Sequence, residues 1–395
     1  MLSKESAKLL LRVYEALLCI YIVIAPINNA LNDRGIYAVV GYASMLVLFV
    51  GTPCGLFGNA FGAEKKLGGI FTALYLAVAF AVAGTLLQII QYHGATQILI
   101  FAQFISLSRR VNLKKIFTAF YISAIIAAIF TVTLGWVSSA VSRTAASVDG
   151  SIAVATLAIT LFAQEDFERT RFYNYSKIAA LVSGLVVAFF GMSRSRLLLI
   201  GIMALIKLIV FMRSSATSGR ISQSTLLLIP IGLVVIVLAL RMNVTQQLLR
   251  EIELRYEQGF EDRIRELEAE AGWALFKKSW MFGRGWRRIL YKLPTGYMVY
   301  NNHNMYVTIL LRGGIVLGAT MLYNFICMIK RVIERKNILA FVLLLMFFAL
   351  GYGNAGAFNY TICSMMIPLA ILLDREDKKP AEEEVTHEND LYSQG

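Results

Sequence analysis

Residues Asp262–Gly318 read DRIRELEAEAGWALFKKSWMFGRGWRRILYKLPTGYMVYNNHNMYVTILLRGGIVLG. A charged amphipathic stretch comes first, then a segment rich in glycine and aromatics, then a lone histidine at the mouth of an apolar run. The stretch closes the one long polar interval in a chain that is otherwise a succession of apolar runs. That contrast sets the architecture: scaffold on both sides, and a loop carried to one face of it.

The 395 residues are 57% hydrophobic and only 16% charged, with a mean hydropathy of +0.64. Such a composition leaves too little polar surface for a soluble domain of this length. Apolar runs of about 20 residues have the length a helix needs to cross hydrocarbon. Helices satisfy their own backbone groups in lipid, whereas a β-barrel would show short alternating segments. An all-α polytopic membrane protein follows. The net charge of +13 reads as Lys and Arg gathered in cytoplasmic loops, and no nucleic-acid partner is expected. Cys19, Cys54, Cys327 and Cys363 lie in or beside apolar runs without metal or CxxC spacing, and read as small core residues. The first apolar run follows Lys4, Lys8 and Arg12 like a signal peptide. It is longer than one and lacks a clear small-residue cleavage site, so an uncleaved first helix is expected.

Twelve candidate spans are read at 9–28, 36–58, 68–91, 95–107, 116–137, 150–163, 177–192, 197–212, 225–241, 303–328, 338–352 and 356–373. With the N-terminus inside, the short inner loops hold most of the Lys and Arg, among them Lys65, Arg109, Lys114, Arg171, Arg213, Lys330 and Arg335. The short outer loops hold only Arg34, Arg143, Arg194 and Arg196. This bias sets both termini inside and the long loop outside. The chain then divides into helices one to nine (1–241), an outer loop (242–302), helices ten to twelve (303–373) and a disordered polar tail (374–395). His93 and His387 read as bystanders in short or polar segments.

In the loop, Phe260, Ile264, Leu267, Ala271, Ala274 and Leu275 recur at helical spacing. Arg263, Arg265, Glu266, Glu268 and Glu270 are expected on the other faces. Such a helix lies on the bundle or in the interface plane. Arg265 either pairs with Glu261 along the helix or faces a ligand. Ten Lys and Arg stand between Arg250 and Lys292, against the topological trend, and suggest an anionic ligand. Trp280, Trp286, Tyr291, Tyr297 and Tyr300 suit sugar rings or a membrane interface.

Three further residues stand out. His303, in Asn301-Asn302-His303-Asn304, is either filler at an Asn-capped helix start or a neutral imidazole serving as general base. Arg194 and Arg196, in GMSRSR, either snorkel or clamp an anion with bidentate forks. Arg312 lies about 13 Å along its helix from His303 at 1.5 Å per residue; an arginine within a span is a functional suspect.

These residues resemble the bacterial O-antigen ligases and the superfamily they share with O-antigen polymerases. Gly191–Leu199 (GMSRSRLLL) is similar to the family's Ser/Thr-Arg-x-x-Leu-Leu segment and places one family arginine on Arg194. Arg265–Gly285 resembles the Arg, helix, Phe, Pro, Gly-x-Gly segment and places the second on Arg265. His303-Asn304, nine residues and Gly314 resemble the His-Asn-x9-Gly motif. Trp280 stands where the family often has proline, Arg312 replaces an acid usual before the glycine, and the second glycine comes at Gly318.

The resemblance implies a GT-C-like glycosyltransferase of the bacterial inner membrane, with one periplasmic catalytic loop and neither cofactor nor metal. The donor would be a glycan on undecaprenyl pyrophosphate and the acceptor a sugar hydroxyl of lipid A–core, among membrane lipids. His303, Arg194 and Arg265 would be catalytic, with Arg196, Arg263, Arg288, Arg312 and Asn304 contacting substrate. A polymerase of the same superfamily is the alternative; the single large outer loop favours a ligase. A transporter of lipid-linked glycan is a third reading, against which stand the absence of an internal repeat and the concentration of polar residues at one face.

Overall fold

A run of small apolar residues, Ser151–Phe162, makes the centre of the bundle. In this computed structural model residues 4–24, 111–137, 151–163, 170–190, 194–218, 263–284, 291–293, 296, 298–299, 302, 304–353, 362 and 364–375 are described. Their helices are α1 (Lys4–Ile24), α2 (Leu113–Val137), α3 (Ser151–Phe162), α4 (Arg171–Phe190), α5 (Arg194–Ser218), α6 (Arg263–Lys278), α7 (Met305–Arg335), α8 (Ile338–Gly353) and α9 (Met366–Arg375). The spans expected at 36–58, 68–91, 95–107 and 225–241 lie outside the described residues.

Helix α3 packs against α2, α4, α5 and α8, and every residue from Ser151 to Ile159 is buried. A helix apolar on all sides belongs inside. Its alanines, with Gly184 of α4, let neighbours come close: a Cβ at Gly184 would sit 3.0 Å from Leu157 Cγ. Small residues at helix contacts are how bundles in lipid gain van der Waals packing. At twelve residues α3 is shorter than a full crossing. Its C-terminal turn is met by Lys207 of α5, whose ammonium donates to Leu161 O and lies 5.5 Å from the Phe162 ring centroid. A cation there satisfies an orphan carbonyl and complements the helix dipole.

Helices α1 and α2 run parallel, fixed at two levels. The Lys115 ammonium pairs with the buried Glu15 carboxylate at 2.7 Å, which also accepts from Asn112 N. One level further on, Ser123 Oγ donates to Ile22 O. Helices α7 and α8 are neighbours, with Tyr306 OH donating to Phe348 O and Phe325 edge-on to Phe348.

Among the described residues, Leu113–Thr133 is long and apolar enough to cross a membrane, and the bent pair within α7 is a second if counted as one span. Shorter apolar helices cover Ser151–Phe162, Leu198–Val210 and Ile338–Tyr352. The architecture is mostly helical, with one departure from the all-α expectation. Tyr291–Lys292 (β1) pairs antiparallel with Met298–Val299 (β2), Tyr291 opposite Val299. Gly296 N donates to Leu293 O, and Gly296 takes the left-handed φ of +86° that closes the turn.

Candidate functional site

The described residues between Arg263 and Val299 fold onto the start of α7 as a layer with its own small core. Tyr291, Leu293, Val299 and Leu311 are its buried members, with Leu267, Ala271, Leu275, Phe276 and Val307 packed around them. Helix α6 lies on α7 at Gly272, where a Cβ would come within 3.2 Å of Val307 Cγ1 and 3.3 Å of Asn302 Nδ2. Leu267, Ala271 and Leu275 of the expected stripe face this core. Ala274 of that stripe is exposed, and Glu268, expected on the charged outer face, is only 1% exposed. These two expectations are corrected: the buried face of α6 extends over Glu268 and Gly272 as well as the stripe.

Asn302 is the hub of the layer. Its Nδ2 donates to Glu268 O at 3.0 Å and to Tyr291 OH at 3.1 Å, and Tyr291 OH donates to the same carbonyl at 2.9 Å. Its Oδ1 accepts from Asn304 N at 2.9 Å, and its backbone oxygen accepts from Thr308 Oγ1. One buried amide thus ties α6, β1 and the first turn of α7 together. Asn304 then caps α7, its Oδ1 accepting from Tyr306 N at 2.9 Å and Val307 N at 3.3 Å, as an N-cap should. Burial pushes the Tyr291 hydroxyl up to about 12, with the Asn302 hydrogen bond opposing the rise and the Glu268 charge adding to it. Tyr291 is thus a buried strut between α6 and Asn302, facing neither a sugar nor lipid.

The second lock is made of backbone alone. Within α7, Gly314 leaves helical geometry (φ 65°, ψ −162°). A continuous helix would bond Ile315 N to Leu311 O. Here Ile315 N donates instead to Trp280 O at 2.7 Å, and Leu311 O accepts from Arg284 N at 2.7 Å. The turn after α6 therefore fills the break in α7 and takes over its hydrogen bonds, the condition under which a glycine break is tolerated in a membrane helix. Further along, Met305–Ala319 and Met321–Arg335 meet at a 67° bend, so the tenth span expected over 303–328 falls on a bent pair of helices.

Two glycines allow this contact. Gly283 has φ +68° and a Cβ there would lie 2.5 Å from Arg312 C and 2.6 Å from Gly314 N. A Cβ on Gly314 would lie 2.5 Å from Phe282 N and closer still to Met281 O. Gly283 and Gly314, from two sequence motifs thirty residues apart, are thus pressed backbone to backbone. The bond from Ile315 uses the carbonyl of Trp280, which a proline at that position would offer equally, so the departure from the family pattern leaves the turn intact.

Of the residues singled out from sequence, Arg194 opens α5 and Arg263 and Arg265 open α6, with side chains outside the description. Arg196 is half-buried on α5. His303 and Arg288 lie outside the described residues; the neighbours of His303 on both sides, Asn302 and Asn304, are the pinned pair above. Arg312 is 0% exposed and stands two residues before Gly314, at the break instead of deep in a straight span. Asn302, Thr308 and Gly272 were not assigned a role by sequence reasoning, and Tyr291 was singled out for a different one; the run of three asparagines around His303 was the available signal. Among the described residues no cluster of His, Cys, Asp and Glu could hold a metal.

A helical membrane protein with a polar loop stitched into a broken helix is the class these features define. Residues 178–322 match the family model described as O-antigen ligase. The matched segment contains Arg194, Arg265, His303 and both glycines of the backbone lock. No curated protein matches the chain.

Proposed function

We propose that this protein is an O-antigen ligase of the bacterial inner membrane with its site on the periplasmic face. It would move a glycan from undecaprenyl pyrophosphate to a sugar hydroxyl of lipid A–core without a metal. The acceptor oxygen attacks the anomeric carbon, the bond from that carbon to the pyrophosphate oxygen breaks, and the acceptor proton leaves to His303. Arg194 and Arg265 neutralise the departing pyrophosphate, where preorganised charge helps most. Arg196, Arg263 and Arg288 extend the anion-binding surface. Asn304 commits its oxygen to the helix cap, so only its NH2 is left for substrate. Arg312 is fully buried, with its backbone carbonyl against Gly283, and its charge would complete the anion-binding set.

The match over residues 178–322 carries this reading. The layer supports it: Asn302, next to His303 in the chain, bonds the carbonyl of Glu268, one turn along α6 from Arg265. The helix bearing one proposed arginine and the segment bearing the proposed base are therefore fastened to each other. Alanine at His303, Arg194 or Arg265, assayed in vitro for transfer from lipid-linked glycan to lipid A–core, should cost on the order of 10² to 10³ in rate for each. Near-wild-type transfer by the His303 variant would remove it from the mechanism. Product that survives a chelator supports the metal-free reaction. Lengthened lipid-linked glycan with nothing on lipid A–core would make the protein a polymerase instead.

A further inference from the structure

The turn that fills the break in α7 displays an apolar surface that the transfer reaction does not use. Trp280, Met281 and Phe282 are 51%, 43% and 54% exposed, and Trp273, one helical face with Trp280, is 49% exposed. Trp273 stacks on Phe276 at 5.3 Å. Consecutive large apolar side chains held outward need a partner phase, since soluble surfaces rarely display such patches. These side chains sit on a backbone fixed by the bonds from Ile315 N to Trp280 O, Val316 N to Met281 O and Arg284 N to Leu311 O, and so cannot fold away by a change of loop conformation.

What covers them is given by continuity. Beyond the break, Ile315, Leu322, Ile326, Ile329 and Ile333 of α7 are all exposed at spacings that make one helix face. In a membrane protein that face meets acyl chains. The patch begins where this stripe begins, because Ile315 is the residue bonded to Trp280. Lys277 and Lys278 stand exposed in the last turn of α6 beside it. Indole rings and lysines together fit the boundary between headgroups and hydrocarbon, where rings take the interface and ammonium groups meet anionic lipid.

We propose that the turn Trp280–Phe282, with Trp273, is a membrane anchor seated in the headgroup interface of the bilayer, its occupant the bilayer phospholipid. The C-terminal end of α6 dips into the interface there, and the site layer is fastened to lipid as well as to the bundle. This stands on membrane embedding alone and does not depend on which transfer the protein performs.

The test uses the full chain reconstituted in phosphatidylethanolamine–phosphatidylglycerol vesicles. Trp136→Phe, Trp273→Phe and Trp286→Phe together leave Trp280 as the sole indole. Its emission should be quenched more by a nitroxide near the headgroup end of the acyl chain than by one near the methyl end, and little by aqueous iodide. Strong iodide quenching without nitroxide quenching would overturn the proposal, since the patch would then face water. Quenching by neither would overturn it as well, since protein would then cover the patch. If this variant fails to reconstitute, the protein retaining only Trp273 (Trp136→Phe, Trp280→Phe, Trp286→Phe) gives the same reading from the adjacent helix face.

Discussion

The bundle and the loop layer are held together by different physics. Around α3 the bundle is a continuous mass of buried apolar side chains from α1 to α9, with a few polar fasteners such as Glu15–Lys115 and Tyr121–Tyr173. The loop layer buries four large apolar residues and relies on one amide hub and a glycine-to-glycine backbone contact. A bundle of that kind tolerates a changed shape if volume is kept, because packing is spread over many contacts. A layer built on backbone contact tolerates almost nothing at two positions and much elsewhere. The contrast suits the proposed function, in which the bundle needs only to persist in lipid, whereas the layer would keep an arginine helix and a histidine segment in fixed relation.

Substitutions can break this comparison from either side. The largest effect is expected at Phe347, fully buried and edge-on to Phe325 and Phe348. Phe347→Ala should cost about 3 to 5 kcal/mol and lower the thermal unfolding temperature in detergent. Gly283→Ala should do the reverse, leaving bundle unfolding nearly unchanged while abolishing function. Left-handed backbone alone costs a non-glycine residue about 1 to 2 kcal/mol, and the new Cβ has no room. Displacement of the turn by about 1 Å is worth on the order of 10²-fold in transfer rate. Full transfer by Gly283→Ala would show that the lock does not position the site.

Smaller effects test the hub. Asn302→Ala takes the acceptor from the Asn304 amide and the amide donor from Tyr291 OH, while the Glu268 carbonyl keeps its bond from Tyr291 OH; the loss should be about 1 to 3 kcal/mol. It should appear as faster hydrogen exchange in the first turn of α7, with the bundle helices unaffected. The smallest effect is alkaline. Tyr291 has its pKa raised from 10.0 to about 12 in the folded layer. Its contribution is therefore whole below pH 10 and is lost as pH rises through about 12, because the unfolded chain releases the proton first. Proteolytic sensitivity of the loop should rise across that window, and Tyr291→Phe should remove the step. A step that persists in Tyr291→Phe would assign it to another group.

The helices of the bundle were legible because hydrocarbon imposes a length and a composition that any reader of hydropathy can find. The amphipathic α6 was legible as a helix, and Leu267, Ala271 and Leu275 of its stripe do face the core. Its edges were not legible: hydropathy places Ala274 inward and Glu268 outward, and the packed structure has the reverse. The break at Gly314 was invisible for a related reason: the apolar run continues on both sides of Gly313-Gly314, so nothing local signals that a distant turn supplies the lost hydrogen bonds. The two-residue strands were too short to leave any periodic trace. Arg312 was rightly singled out as unusual, but its place beside the break depends on that unseen lock.

The sequence by itself determined an apolar helical scaffold, a basic polar interval within it and the segment, residues 178–322, that matches the O-antigen ligase family model. Those follow from composition and from local order along the chain. Only the tertiary structure decided that two of the motif glycines touch, that Asn302 joins three elements, and that α7 is broken where the loop enters it. Contacts between backbones far apart in sequence leave no mark on hydropathy, because the residues that permit them do so by having no side chain.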